Sequence, residues 1–160
     1  MTTTVRPAGA DDRGRVLAFL DERGMRYAAR LGELHHAGGD QALLAEDDRG
    51  ELVGLLTHAI DGADCEISSL YAAAQWGGIG TALVEAAVDL AREAGCRRLW
   101  LVTTNDNVDA LRFYQRRGFR LAELHAGAVD RSRATLKPSI PETGEYDIPL
   151  RDELVLERSV

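Results

Sequence analysis

The stretch Gln75-Trp76-Gly77-Gly78-Ile79-Gly80-Thr81 (QWGGIGT) sets three glycines into four consecutive positions directly before the run ALVEAAVDLAREAG. That run places Ile79, Leu83, Ala87, Leu90 and Ala91 on one apolar stripe at helical spacing, and Gly95 closes it. A helix N-terminus carries about four unpaired backbone N–H groups and roughly half a positive charge. Glycines there remove Cβ atoms and let a diphosphate approach those donors. The plainer reading is a tight turn in which glycine only permits positive φ.

Two common diphosphate cradles do not fit. A dinucleotide fingerprint needs G-x-G-x-x-G inside a βαβ unit, and Leu83 stands where its third glycine belongs. A P-loop needs Gly-Lys-Ser/Thr, which is missing from this turn.

Upstream, Thr2 to Arg6 is a short β-like opening ended by Pro7. Asp11-Asp12 favour a helix start, and Val16, Phe19, Leu20 and Arg23 continue it at helical spacing to a stop at Gly24. The segment MRYAARLGELHHAGGD fits either a second helix or an irregular extended stretch. QALLAED and ELVGLLTHAI, separated by Asp48-Arg49-Gly50, read as an antiparallel hairpin. After a turn at Asp61-Gly62-Ala63-Asp64, CEISSLYA is a third strand of the same meander. Downstream of the glycines come a central strand RRLWLVTT, a short helix NVDALRFYQRRG ending at Gly118, and a strand FRLAELHAG. Pro138, Pro141 and Pro149 make residues 126–149 an extended loop region, and RDELVLERS is the last strand. The expectation is one α/β domain over residues 1–160, with an antiparallel N-terminal meander in a mixed central sheet flanked by helices.

Composition narrows the function. Hydrophobic residues make up 45% and charged residues 28% of the 160, an ordinary globular balance. No apolar run approaches the ~20 residues that span a bilayer, and MTTTVRPAGADDRGR lacks the apolar core of a signal peptide. Cys65 and Cys96 alone form neither a disulfide framework nor a metal knuckle, so a cytoplasmic protein without a metal is expected. The net charge of -7 argues against nucleic acid and is compatible with a cationic acceptor such as an amine.

What fits the glycines is Gln-x-x-Gly-x-Gly, as Gln75, Gly78 and Gly80, followed by Asn107, Ala110, Phe113, Tyr114, Gly118 and Phe119 in the pattern Asn-x-x-Ala-x-x-Phe-Tyr-x-x-x-Gly-Phe. In these two motifs, in this order, the chain resembles the GNAT superfamily of acyl-CoA-dependent N-acyltransferases. The resemblance spans residues 2 to 125, and the tail from Ala126 looks like that of one bacterial subgroup. It implies a GNAT fold and acetyl-CoA or coenzyme A as co-substrate. It assigns Gln75, Trp76, Gly77, Gly78, Ile79, Gly80 and Thr81 to the diphosphate, and Asn107, Ala110 and Tyr114 to the pantetheine arm and thiol. Trp76 and Gly77 depart from the family's usual basic or small residues. The implied reaction moves an acetyl group to a primary amine, of a small molecule first and of a protein within the same class, by direct attack in a ternary complex.

Asn107, Ala110, Leu111 and Tyr114 are spaced to share one helical face. The departing thiolate needs a proton, and a phenol with an ordinary pKa of ~10 carries one at neutral pH. Tyr114 is therefore the candidate general acid; its alternative is a core tyrosine beside Phe113, and Phe113 and Phe119 are assigned to the core. The family places the thioester along the end of CEISSLYA, so Leu70, Tyr71 and Ala72 are assigned to the acyl-pantetheine, with Leu70 or Ala72 polarising its carbonyl. Glu66 is the first candidate for the base and Asp64 the second, with His58 on the neighbouring strand. His35-His36 read more readily as a solvated loop, and Cys65 as uninvolved. The acceptor is expected beside residues 25–39 and the loop after Lys137, where Glu142, Glu145 and Asp147 supply negative charge. Exposed strand edges leave room for a homodimer. The competing reading is a non-catalytic acyl-CoA binding or sensing module, against which Tyr114 speaks. A purely structural domain would not need the glycines.

Overall fold

The computed structural model describes residues 2–73 and 77–160. In chain order the elements are β1 (Thr4–Pro7), α1 (Arg13–Glu22), β2 (Tyr27–Arg30), β3 (Glu33–His36), β4 (Gln41–Glu46), β5 (Leu52–Asp61) and β6 (Asp64–Ala72). There follow α2 (Ile79–Glu93), β7 (Arg98–Thr104), α3 (Val108–Gln115), β8 (Arg120–His125), α4 (Ala128–Thr135) and β9 (Glu153–Ser159). The fold is the expected α/β class, with a mixed central sheet, mostly antiparallel with one parallel pair, flanked by helices. No helix among the described residues is long and apolar enough to cross a membrane. The chain divides into two compact units.

The first unit holds residues 1–26, 36–99 and 159–160. Its strands run β1-β4-β5-β6, each antiparallel to the next. The turn after β4 forms because Asp47 Oδ1 accepts hydrogen bonds from the Arg49 and Glu51 amides while Gly50 takes φ +76°. Successive strand residues face opposite sides. Leu55 joins Val16, Phe19 and Leu20 in the cluster under α1, while a Cβ on Gly54 would lie 2.7 Å from Ile79 of α2. Glycine at 54 is what lets α2 lie directly on β5.

Arg6 clamps the edge of this unit, bonding Asp12 at 2.9 Å and Glu46 at 2.7 Å, and Arg15 reaches Glu46 as well. The hydrogen bond from Arg6 is the main cause that lowers both carboxyls, Asp12 from 3.8 to about 2 and Glu46 below its ordinary 4.5. Groups lowered in the folded state stabilise it fully above their unfolded pKa values, and the contribution drains as pH falls through the folded ones. We expect Arg6→Gln to lessen the loss of stability between pH 4.5 and about pH 2, measured by urea unfolding at stepped pH. An unchanged slope would show that the clamp does not couple to folding.

The second unit holds residues 27–35 and 100–158, with strands in the order β7-β9-β8 and a separate hairpin β2-β3. The hairpin decides the segment that the sequence left between helix and extended chain. Leu31 and Gly32 take φ +50° and +78°, and the Leu31 amide donates at 2.9 Å to Glu153, a carboxylate buried in β9. Residues 126–149 are not one extended loop as expected. Ala128–Thr135 is helical, starting from Gly127 at φ +73° with its amide bonded to Asp152. Ala128, Val129 and Ser132 are buried, and the prolines begin only at Pro138, past its end. Proline excludes helix after that point and says nothing of the residues before it.

The tail is held by two side chains that the sequence reading passed over. Asn105 accepts from the Arg151 and Asp152 amides and donates to the Pro149 carbonyl. Asp106, buried, accepts from Thr104 Oγ1 and from the Glu145 amide. A Cβ on Gly144 would overlap the Asp106 carboxylate. Gly144→Ala is therefore expected to cost about 1–3 kcal/mol in urea unfolding, as overpacking does. In Asp106→Ala it should cost less, because the obstacle is gone. Equal costs in both backgrounds would refute the latch.

Candidate active site

In the first unit, the strand expected to lie beside the thioester is β6. The Ala73 amide donates to the Val53 carbonyl at 2.8 Å, and the register pairs Ala72 with Gly54, Tyr71 with Leu55 and Leu70 with Leu56. Hydrogen-bonded and non-bonded pairs alternate along an antiparallel ladder. The backbone groups of Tyr71 are thus spent on Leu55, whereas Leu70 and Ala72 turn their N–H and C=O away from β5. The Tyr71 ring lies edge-on to Phe19, 5.3 Å between centroids, with the Arg23 guanidinium 4.6 Å above it.

The glycine turn leads into α2. Gly78 is its N-cap at φ +73°, no side chain caps the helix, and a Cβ there would meet open space. Gly77 and Gly78 are exposed, Ile79 and Gly80 buried, and Thr81 half-buried. The first turn thus presents backbone donors, a suitable seat for a diphosphate. Gln75 and Trp76 lie outside the described residues.

Of the base candidates, Asp64 sits at the start of β6 in an ion pair with Arg98 at 3.6 Å. Glu66 is buried at 6% exposure, opposite Ala59. His58 is buried with its Nδ1 unpartnered, and burial pushes its pKa down, so the ring is held neutral. Burial pushes the Cys65 thiol up to about 11, too high for a thiolate nucleophile at neutral pH. His36 accepts from Arg26 Nε at 3.2 Å. A feature missed in the sequence lies between them. The β5–β6 register shifts at Thr57/His58, so Ser68 and Ser69 both reach Thr57 Oγ1, and Ser68 donates to Asp40. In a regular strand the adjacent serines would face opposite sides, and the bulge brings both to Thr57.

In the second unit, Asn107 caps α3, its Oδ1 accepting from the Ala110 amide at 3.2 Å. Ala110 is half-buried on the first turn, with Tyr114 one further turn along. The Tyr114 ring, 7% exposed, stands edge-on between Phe113 at 5.1 Å and Phe119 at 5.2 Å. Phe119 is core, as expected, while Phe113 is half-buried under the Arg117 guanidinium. Burial raises the Tyr114 phenol well above its ordinary value, which keeps the proton on it at neutral pH. On the tail, Tyr146 and Asp147 take φ +57° and +59°, and the Tyr146 hydroxyl donates to Asp109 in the first turn of α3. Glu142 pairs with Arg133 at 3.6 Å.

Residues 12–119 match the Acetyltransferase (GNAT) family. The uncharacterized protein YdhI of Bacillus subtilis is 45% identical over 116 residues, 72% of either chain. Streptothricin acetyltransferase of Streptomyces lavendulae is 38% identical over 68 residues, 40% of this chain and 36% of that one. A GNAT family acetyltransferase from Elizabethkingia anophelis, solved with acetyl-CoA bound, superposes with a TM-score of 0.68 at 20% identity, covering 99% of this chain and 98% of its own. The chain belongs to the acetyltransferase (GNAT) family and is an N-acetyltransferase.

Proposed function

We propose that the protein, working as one domain in the cytoplasm, moves the acetyl group of acetyl-CoA to a primary amine of a small molecule by direct attack in a ternary complex. The observation that carries the mechanism is Tyr114, buried and held protonated two turns below the N-cap Asn107. That phenol donates its proton to the departing CoA thiolate. The backbone N–H of Leu70 or of Ala72 stabilises the oxyanion that forms on the thioester carbonyl. Gln75 to Thr81 hold the diphosphate, and Asn107 and Ala110 line the path of the pantetheine. Glu66 draws the acceptor ammonium and is one carboxylate able to take its proton. The likeness to an enzyme named for streptothricin supports a small acceptor, and the acidic tail residues Glu145 and Asp147 suit a cationic one. A protein amine stays within the same chemistry, and a homodimer is compatible with it.

The test is an acceptor panel of streptothricin, spermidine, free lysine and an alanyl peptide, each read for released thiol and for a product heavier by one acetyl group. Acetylation of a small amine above the peptide is the expected result. Turnover of the peptide alone would overturn the small-molecule reading, and turnover of none would overturn amine transfer.

A further inference from the structure

Each turnover needs a destination for the acceptor's proton, and the bulge in β6 supplies one besides Glu66. Ser68 Oγ donates to Oδ2 of the Asp40 carboxylate. A serine has one hydroxyl proton, so the contact between Thr57 and Ser68, 2.7 Å, must have Thr57 as donor. Thr57 has then spent its own proton, and Ser69 must donate to Thr57 in turn. The carboxylate at one end thereby orients every hydrogen in the chain Ser69, Thr57, Ser68, Asp40. Thr57, in the middle, is wholly buried at 0% exposure, whereas Ser68, Ser69 and Asp40 are half-buried. Three hydroxyls in series, running past a sealed position between two accessible ends, make a path. The hydroxyl at its other end, Ser69, precedes Leu70 in sequence, one of the two residues proposed to polarise the thioester carbonyl.

We propose that the acceptor's proton leaves through this chain and that Asp40 is its terminal acceptor, a role that rests on the acetyl-transfer reading above. As the amine attacks, its nitrogen becomes cationic within the tetrahedral intermediate and turns strongly acidic. One N–H bond breaks and its proton goes to Ser69 Oγ. Ser69 passes its own proton to Thr57, Thr57 to Ser68, and Ser68 to the Asp40 carboxylate. Four O–H bonds form, three O–H bonds and one N–H bond break, and no electrons are transferred between groups. Nitrogen ends neutral and Asp40 ends as the acid, which solvent then empties. Asp40 is a positioning and proton-storing residue rather than one that touches substrate.

The test compares Thr57→Val, Thr57→Ser and Asp40→Asn with the wild type, using acetyl-CoA and streptothricin or spermidine as the probe amine. Thr57→Val and Asp40→Asn should lower kcat by about 10²-fold, the scale of lost proton transfer, while KM for acetyl-CoA stays within two-fold of wild type. Thr57→Ser should restore most of the rate. Rates in mixed light and heavy water should bow for the wild type, with several protons in flight, and straighten in Thr57→Val. Thermal midpoints and acetyl-CoA titrations show whether each variant is folded; should Thr57→Val fail to fold, Asp40→Asn carries the comparison. Wild-type kcat and a bowed plot in both Thr57→Val and Asp40→Asn would overturn the relay while leaving acetyl transfer intact, the proton then leaving through Glu66. A wild-type chain that acetylates neither amine overturns both.

Discussion

Gly78→Glu should abolish acetyl-CoA binding while leaving the chain folded. The position is an exposed N-cap with open space around a Cβ, so bulk alone does not disturb packing. What changes is charge: a carboxylate would stand where the diphosphate meets the first-turn amides, and two like charges would compete for the same donors. The left-handed backbone at φ +73° adds a strain common to most side chains. Gly78→Asn is the control, since asparagine tolerates that conformation and carries no charge. Thermal shift reads the outcome. Ligand at about 100 times its dissociation constant adds roughly 2.7 kcal/mol, about 5–10 °C for a chain of this length. Wild type and Gly78→Asn should show that rise with acetyl-CoA, and less with adenosine diphosphate. Gly78→Glu should show none. A full shift in Gly78→Glu would mean that the diphosphate sits elsewhere.

Tyr114→Phe should leave acetyl-CoA affinity within a few-fold of wild type and lower kcat by about 10²-fold, the usual scale for a lost general acid. The substitution keeps the ring between Phe113 and Phe119 and removes only the hydroxyl. Stability should therefore change little, which separates a chemical from a packing role. Burial holds the phenol's pKa well above the neutral range. It carries its proton throughout that range, so no loss of activity between pH 6 and 9 should trace to Tyr114. Unchanged kcat in Tyr114→Phe would reduce the residue to a core tyrosine.

The glycine turn, the meander and α3 were legible because each is written locally. Gly50, Gly62 and Gly95 all adopt the positive φ that their turns predicted, and the stripe on α2 buries Ile79, Leu83, Ala87 and Ala91. What stayed hidden depends on partners distant in sequence. The Leu31-Gly32 turn is fastened by Glu153, and α4 starts from a bond between Gly127 and Asp152. Neither contact has a local signature, so the one segment stayed undecided and the other was read as loop. On β6 the alternation that should have put Ser68 and Ser69 on opposite faces fails at a bulge. Period-two reasoning therefore found Glu66 and passed over Asp40. The choice between Leu70 and Ala72 was open for a sounder reason, because both amides turn away from β5.

Three consecutive residues, Asn105, Asp106 and Asn107, divide their work between the tail and the helix that carries Tyr114. Asn105 and Asp106 fasten residues 145–152, and Asn107 caps α3. A tail borrowed from another family member would thus fail to dock unless its partners at 105 and 106 came with it, whereas the glycine turn could stay as it is. For anyone recombining such enzymes, the natural cut falls before Asn105 rather than at the start of the tail.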